Sequence, residues 1–215
     1  MKIIFDIFDR IWRFIVDVFV EESPIHERMT LHIQDRIEHY RVDFPGFYLD
    51  RILVACEYHD IEKALELYKY HSHREYVDIF VDIFARLLSE IDTSNSWEVV
   101  ISTVPMHWTR YGIRWFDHMD YIAKRLARET GIPYVQFLGT LFSQRQSHLS
   151  RKKRLENRKN RFTMRNPNVI IPQTVILIDD VISTGATVHE CARVFKLHNP
   201  YCHIIGVFLS SNISS

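Results

Sequence analysis

Two adjacent carboxylates, Asp179 and Asp180, are followed within a few residues by Ser183, Thr184, Gly185, Ala186 and Thr187. These types at this spacing point to a divided chemistry. Three hydroxyls can donate to an anion, and a glycine lets the backbone approach it closely. The amide groups at the start of a following helix, and its positive end, also favour a phosphate. The two carboxylates would repel a phosphate beside them. They suit the hydroxyls of a sugar instead, directly or through a divalent cation. A ribose 5-phosphate group satisfies both halves at once.

Such a loop needs a strand to deliver it and a helix to receive it. Val175-Ile176-Leu177-Ile178 is a short, β-branched apolar run that reads as a buried parallel strand ending at the acidic pair. A helical pattern follows over Thr187 to His198. Further strands are expected at Leu49–Cys56, Val99–Val104, Tyr134–Leu138 and His203–Leu209. Helices are expected at Met29–Tyr40, Asp60–Tyr70, Glu75–Ile91 and Phe116–Thr130, the last stopped by Gly131. From residue 97 onward strands alternate with helices and loops. That order predicts an α/β fold with a doubly wound, mainly parallel sheet. In such sheets ligands sit beyond the carboxyl ends of the strands, where Asp179 to Thr187 lie.

The chain has 215 residues, 47% hydrophobic and 25% charged, as expected of a globular protein with one good core. Its formal net charge is zero, yet residues 1–100 carry a balance of −9 and residues 101–215 one of +9. An anion site therefore belongs in the second half. Cys56, Cys191 and Cys202 are far apart, so no disulfide framework and no zinc spacing is readable, and a reducing cytoplasm fits. Residues 1–20 are apolar at helical spacing but interrupted by Asp6, Asp9, Arg10, Arg13 and Asp17. They are too charged to form a transmembrane segment. They read as an amphipathic helix that packs on the core or on a partner subunit, as in a homodimer, with a membrane-surface helix as the alternative. A division follows into an N-terminal helical appendage, residues 1–47, and a main domain, residues 48–215.

The thirteen residues Val175 to Thr187 resemble the signature of type I phosphoribosyltransferases. Between residues 99 and 162 the resemblance narrows. Val104-Pro105, Trp108, Arg110, Arg114 and Phe116 precede a helix, and Gln146, Leu149, Arg154, Asn157 and Phe162 come later. This pattern is similar to the ComF family of phosphoribosyltransferase-like proteins, linked to natural competence and including ComFC-like members. Lys69-Tyr70 resembles an upstream element of the same family. The resemblance implies a type I phosphoribosyltransferase-like fold and a site for PRPP with magnesium. Asp179 and Asp180 would read the ribose, directly or through the metal. Ser183, Thr184, Gly185, Ala186 and Thr187 would wrap the 5′-phosphate, and Arg110 and Arg114 would clamp the pyrophosphate. The implied activity is phosphoribosyl transfer to a nitrogenous acceptor. The alternative is a non-catalytic PRPP or nucleotide binder that handles single-stranded DNA during uptake.

This chain departs from the family in two places. Where the family reads Arg-Gly-Phe-Asn-Gln, it reads Arg114-Trp115-Phe116-Asp117-His118. Where the family carries a cysteine-rich zinc ribbon, residues 1–47 contain no cysteine, so no zinc is expected. The segment 145–165 holds nine Lys/Arg against one acid, Glu156. It reads first as a lid over PRPP and second as a contact for single-stranded DNA. The twelve histidines show no metal spacing and read as ordinary surface or core residues.

Overall fold

The computed structural model describes residues 33–36, 38, 46–71, 76–92, 98–106, 117–140 and 161–212. All of them fall in the compact unit that begins at residue 32. The elements are β1 (Gln34–Asp35), β2 (Arg51–Glu57), α1 (Tyr58–His71), α2 (Tyr76–Ser89), β3 (Val99–Thr103), α3 (His118–Thr130), β4 (Leu138–Thr140), β5 (Phe162–Met164), β6 (Thr174–Ile182), α4 (Ala186–His198) and β7 (His203–Ser211).

The main sheet has the order β1-β2-β7-β6-β3. β2, β7, β6 and β3 run parallel, and only the short edge strand β1 is antiparallel. This is the doubly wound, mostly parallel α/β architecture that the alternation of strands and helices predicts. β2, β3, β6 and β7 are apolar almost without interruption because helices cover both their faces. Helices α1, α2 and α3 pack on one side. On the other, Val188, Ala192 and Phe195 of α4 join Leu138, Phe162 and Met164 of the β4–β5 hairpin over Val175 and Leu177. Phe137 meets Phe195 edge to face at 5.7 Å between ring centres.

Each helix follows from its sequence. α1 buries Ile61, Leu65 and Tyr68 at helical spacing, and α2 buries Val77, Phe80, Val81, Phe84, Leu87 and Leu88. α3 starts two residues inside the expected range. Asp117 is its N-cap and accepts the Asp120 amide at 3.1 Å. At the other end Gly131 adopts φ 76° and closes the last turn through Ala127.

Three local expectations are corrected. β6 does not end at Ile178 but continues through the acidic pair to Ile182, because its ladder with β7 persists to Ile182–Ser211. Phe162–Met164, inside a segment read as a polar loop, is a strand paired with Leu138–Thr140. Alternation of buried Phe162 and Met164 about exposed Thr163 is its signal, too short to stand out among the basic residues. Gln34 and Asp35, inside the expected Met29–Tyr40 helix, form the edge strand. Flanking charges hold that edge: Asp35 pairs with Arg51 at 3.0 Å and Arg36 with Glu57.

The connections fix where a ligand can sit. Leaving β3, the chain passes through α3 and returns beside β3, where Tyr134 bridges Ile101 in parallel. Leaving β6, it passes through α4 to β7 on the opposite side. The direction of winding reverses between β3 and β6, and the crevice beyond their carboxyl ends is the position such sheets use for ligands.

Candidate functional site

A cleft of about 660 Å³ opens at that reversal point. The end of β3 supplies Val104, Pro105 and Met106, and the start of α3 supplies Asp117 and His118. The end of β6 and the following loop contribute every residue from Asp179 to Val188. α1 adds Tyr58, Glu66 and Lys69, and the β5 hairpin adds Arg161 and Phe162. All seven expected residues of the motif, Asp179, Asp180 and Ser183 to Thr187, therefore line one cavity.

Gly185 sets the loop. It takes φ 73°, ψ −8° as the N-cap of α4, a left-handed conformation that costs an L-residue roughly 1–2 kcal/mol. No side chain caps the helix, and its first turn holds no acid. Ser183, Thr184 and Thr187 are exposed around it. The Ala186 amide points back to Thr184 Oγ1 at 3.5 Å. The first amides of α4 and three hydroxyls thus surround one rim of the cleft, an arrangement suited to a phosphate.

The two carboxylates have different surroundings. Asp179 accepts the Asp180 amide through Oδ1 at 2.9 Å. Its charge is felt by Cys191 of α4, so it lies toward the helix that follows the loop. Asp180 lies toward α1 and α3. Its Oδ2 takes the Lys69 ammonium and, at 2.6 Å, His118 Nε2. The side chains of Asp180, Lys69 and His118 are only 13%, 12% and 6% exposed. Burial pushes the Asp180 carboxyl up. The Lys69 ammonium and the His118 hydrogen bond outweigh burial and hold it well below the usual carboxylate range. An ionised carboxylate only accepts, so Nε2 carries the imidazole proton and donates it. Nδ1 of the same ring is buried and has no hydrogen-bond partner among the described residues.

The start of α3 is tied down from both sides. Tyr68 Oη donates to the His118 carbonyl at 3.1 Å. Tyr134 Oη donates to Asp120 at 2.9 Å, while Gln136 binds Thr103 at the end of β3. Burial above all keeps the Tyr134 phenol above its usual value, so it remains a donor. These contacts hold the backbone at the start of α3, from which the His118 ring reaches Asp180.

Sequence reasoning missed the His118 and Lys69 contacts. Lys69 stood out only through its resemblance to a Lys-Tyr element, and His118 only as a histidine in place of glutamine. They lie 111 and 62 residues from Asp180, and only the fold brings them together. Arg110, Arg114, Trp108 and Trp115 lie outside the described residues, as do residues 145–160 of the basic segment and the appendage up to residue 32. All three cysteines are buried and unbridged. Burial pushes the thiols up, Cys56 to about 12 and Cys202 to about 11, which makes them poor nucleophiles.

Comparison with known proteins adds one relationship. No family model matches the chain. Over 101 residues it is 32% identical to Competence protein F of Haemophilus influenzae. That similarity supports a ComF-like family. The shared stretch covers 45% of this chain and 43% of the ComF relative, so less than half of either protein is compared. Among the described residues no helix is long and apolar enough to cross a membrane.

Proposed function

We propose that the chain binds the ribose 5-phosphate portion of PRPP or a nucleotide, as a phosphoribosyltransferase-like protein of the ComF type. The observation that carries this reading is the sequence of features along one edge of the cleft. Two carboxylates on a strand end, a left-handed glycine and an open helix N-terminus follow one another at the reversal point of the sheet. The phosphate would take the amides and hydroxyls of Ser183 to Thr187, and the sugar hydroxyls would face the acidic pair.

Magnesium fits this reading as a companion of the ligand. Among the described residues no group of three or more His, Cys, Asp or Glu is placed to hold a metal ion. Magnesium is commonly held by one or two carboxylates together with substrate phosphates, and Asp179 and Asp180 supply two carboxylates at the cleft. When bound it would neutralise charge on a diphosphate. In a transfer reaction a nitrogen nucleophile forms a bond to C1 of the ribose while the C1–oxygen bond to pyrophosphate breaks. The chain's own part is to hold the ribose as positive charge builds on its ring, with Arg110 and Arg114 as the groups for the departing diphosphate.

The second reading is a non-catalytic nucleotide binder that handles single-stranded DNA in competence, with the basic segment 145–165 as its contact. The similarity to Competence protein F is the observation behind it. Release of pyrophosphate from PRPP with a panel of nitrogenous bases separates the two readings.

Calorimetry tests the shared claim. PRPP with magnesium is expected to bind the wild-type chain. Changing Asp179→Asn and Asp180→Asn together should weaken that binding at least ~10-fold, about 1.4 kcal/mol. Equal affinity for both proteins would rule out the acidic pair as the sugar site.

A further inference from the structure

We infer that the two carboxylates divide the work. Asp179 meets the ligand's ring hydroxyls, whereas Asp180 is a positioning residue that holds the Lys69 ammonium and the His118 imidazole in the floor of the cleft. The inference rests on the ribose 5-phosphate reading and gives the pair unequal roles within it.

Strand geometry is the first ground. The β6–β7 ladder continues past the pair, with Asp179 opposite Phe208 and Val181 opposite Ser210. Successive side chains of a strand point to opposite faces. Asp179 therefore shares the face of Val175 and Leu177, beneath α4 and its phosphate-suited loop. Asp180 shares the face of Ile176 and Ile178, beneath α1 and α3.

The second ground is occupation. One oxygen of Asp180 already accepts from two cationic or hydrogen-bonding groups, each nearly buried. Turning that carboxylate to a ligand would leave a buried ammonium without its counter-charge and an imidazole N–H without its acceptor. Desolvated groups resist such a change. Asp179 lines the cleft beside Ser183 to Thr187.

The third ground is the anchoring of His118. The histidine, fixed by Tyr68 and by the tethered start of α3, gives Asp180 a second partner that lysine alone does not supply.

The test uses the full chain with magnesium and two probes. Ribose 5-phosphate is compared with 2,3-dideoxyribose 5-phosphate, which keeps the phosphate but lacks both hydroxyls. The wild-type chain should prefer ribose 5-phosphate at least ~10-fold. Asp179→Asn should erase most of that preference. Asp180→Asn should weaken both ligands in the same proportion and leave the preference standing. If Asp180→Asn erases the preference, alone or together with Asp179→Asn, the division is overturned. A second readout needs no ligand. The hydrogen-bonded Nε2 proton of His118, assigned by its loss in His118→Gln, should be a slowly exchanging downfield signal that moves upfield in Asp180→Asn. An unmoved signal would overturn the positioning role. If neither sugar phosphate binds the wild-type chain, the functional reading fails and takes the role of Asp179 with it. The imidazole signal still decides the role of Asp180.

Discussion

Asp180→Ala is expected to lower the stability of the folded chain by about 3–5 kcal/mol, the usual loss when one member of a buried ion pair is removed. The magnitude comes from what stays behind. Lys69 and His118 would face each other in a nearly closed pocket with no carboxylate between them. Chemical denaturation at neutral pH measures the change. Replacing all three at once, with Asp180→Leu, Lys69→Met and His118→Phe, should cost less than Asp180→Ala alone, because no uncompensated charge remains. A loss under ~1 kcal/mol for Asp180→Ala would show that the cluster is solvated and weak.

The same cluster sets a pH dependence. The folded carboxyl of Asp180 sits below its unfolded value, which is roughly 3.9. Its contribution is then fully present above that unfolded value and is lost as pH falls from there toward the folded one. Acid unfolding of the wild-type chain should therefore steepen below about pH 4, and Asp180→Asn should lack that component.

Gly185→Val is the other change with a large expected effect. At φ 73° a β-branched residue is a true outlier, so the backbone must leave the left-handed region. Moving it displaces the first amides of α4 from the rim of the cleft. Hydrogen bonds to a charged phosphate contribute about 1.5–3 kcal/mol each, so losing two of them corresponds to at least ~100-fold in affinity for ribose 5-phosphate. Gly185→Asn should be milder, since asparagine visits this region more readily. Calorimetric titration of the three proteins gives the order wild type, Asn, Val. Binding by Gly185→Val at wild-type strength would remove the loop from the account.

The sequence carried the architecture well because strand runs such as Val175–Ile178 and Val99–Val104 are apolar on both faces, which is the mark of a covered parallel sheet. The helices α1, α2 and α4 followed from their apolar spacing. The loop Ser183 to Thr187 was legible because its small residues are contiguous. What stayed hidden was long-range. Nothing local marks Lys69 or His118 as neighbours of Asp180, since α1 and α3 meet β6 only through the winding of the sheet. The length of β6 was also hidden. Asp179 and Asp180 look like the end of an apolar run, yet the partner strand β7 carries the ladder on to Ile182. The β4–β5 hairpin escaped because three-residue strands leave almost no pattern of their own.

The central claim is that a ribose 5-phosphate group occupies the cleft beyond β6. A crystal structure of the chain with PRPP and magnesium tests it most directly. The 5′-phosphate is expected on the amides and hydroxyls of Ser183 to Thr187 and the ring hydroxyls at Asp179, while Asp180 stays joined to Lys69 and His118. A phosphate bound elsewhere, or a cleft left empty at saturating ligand, would contradict it.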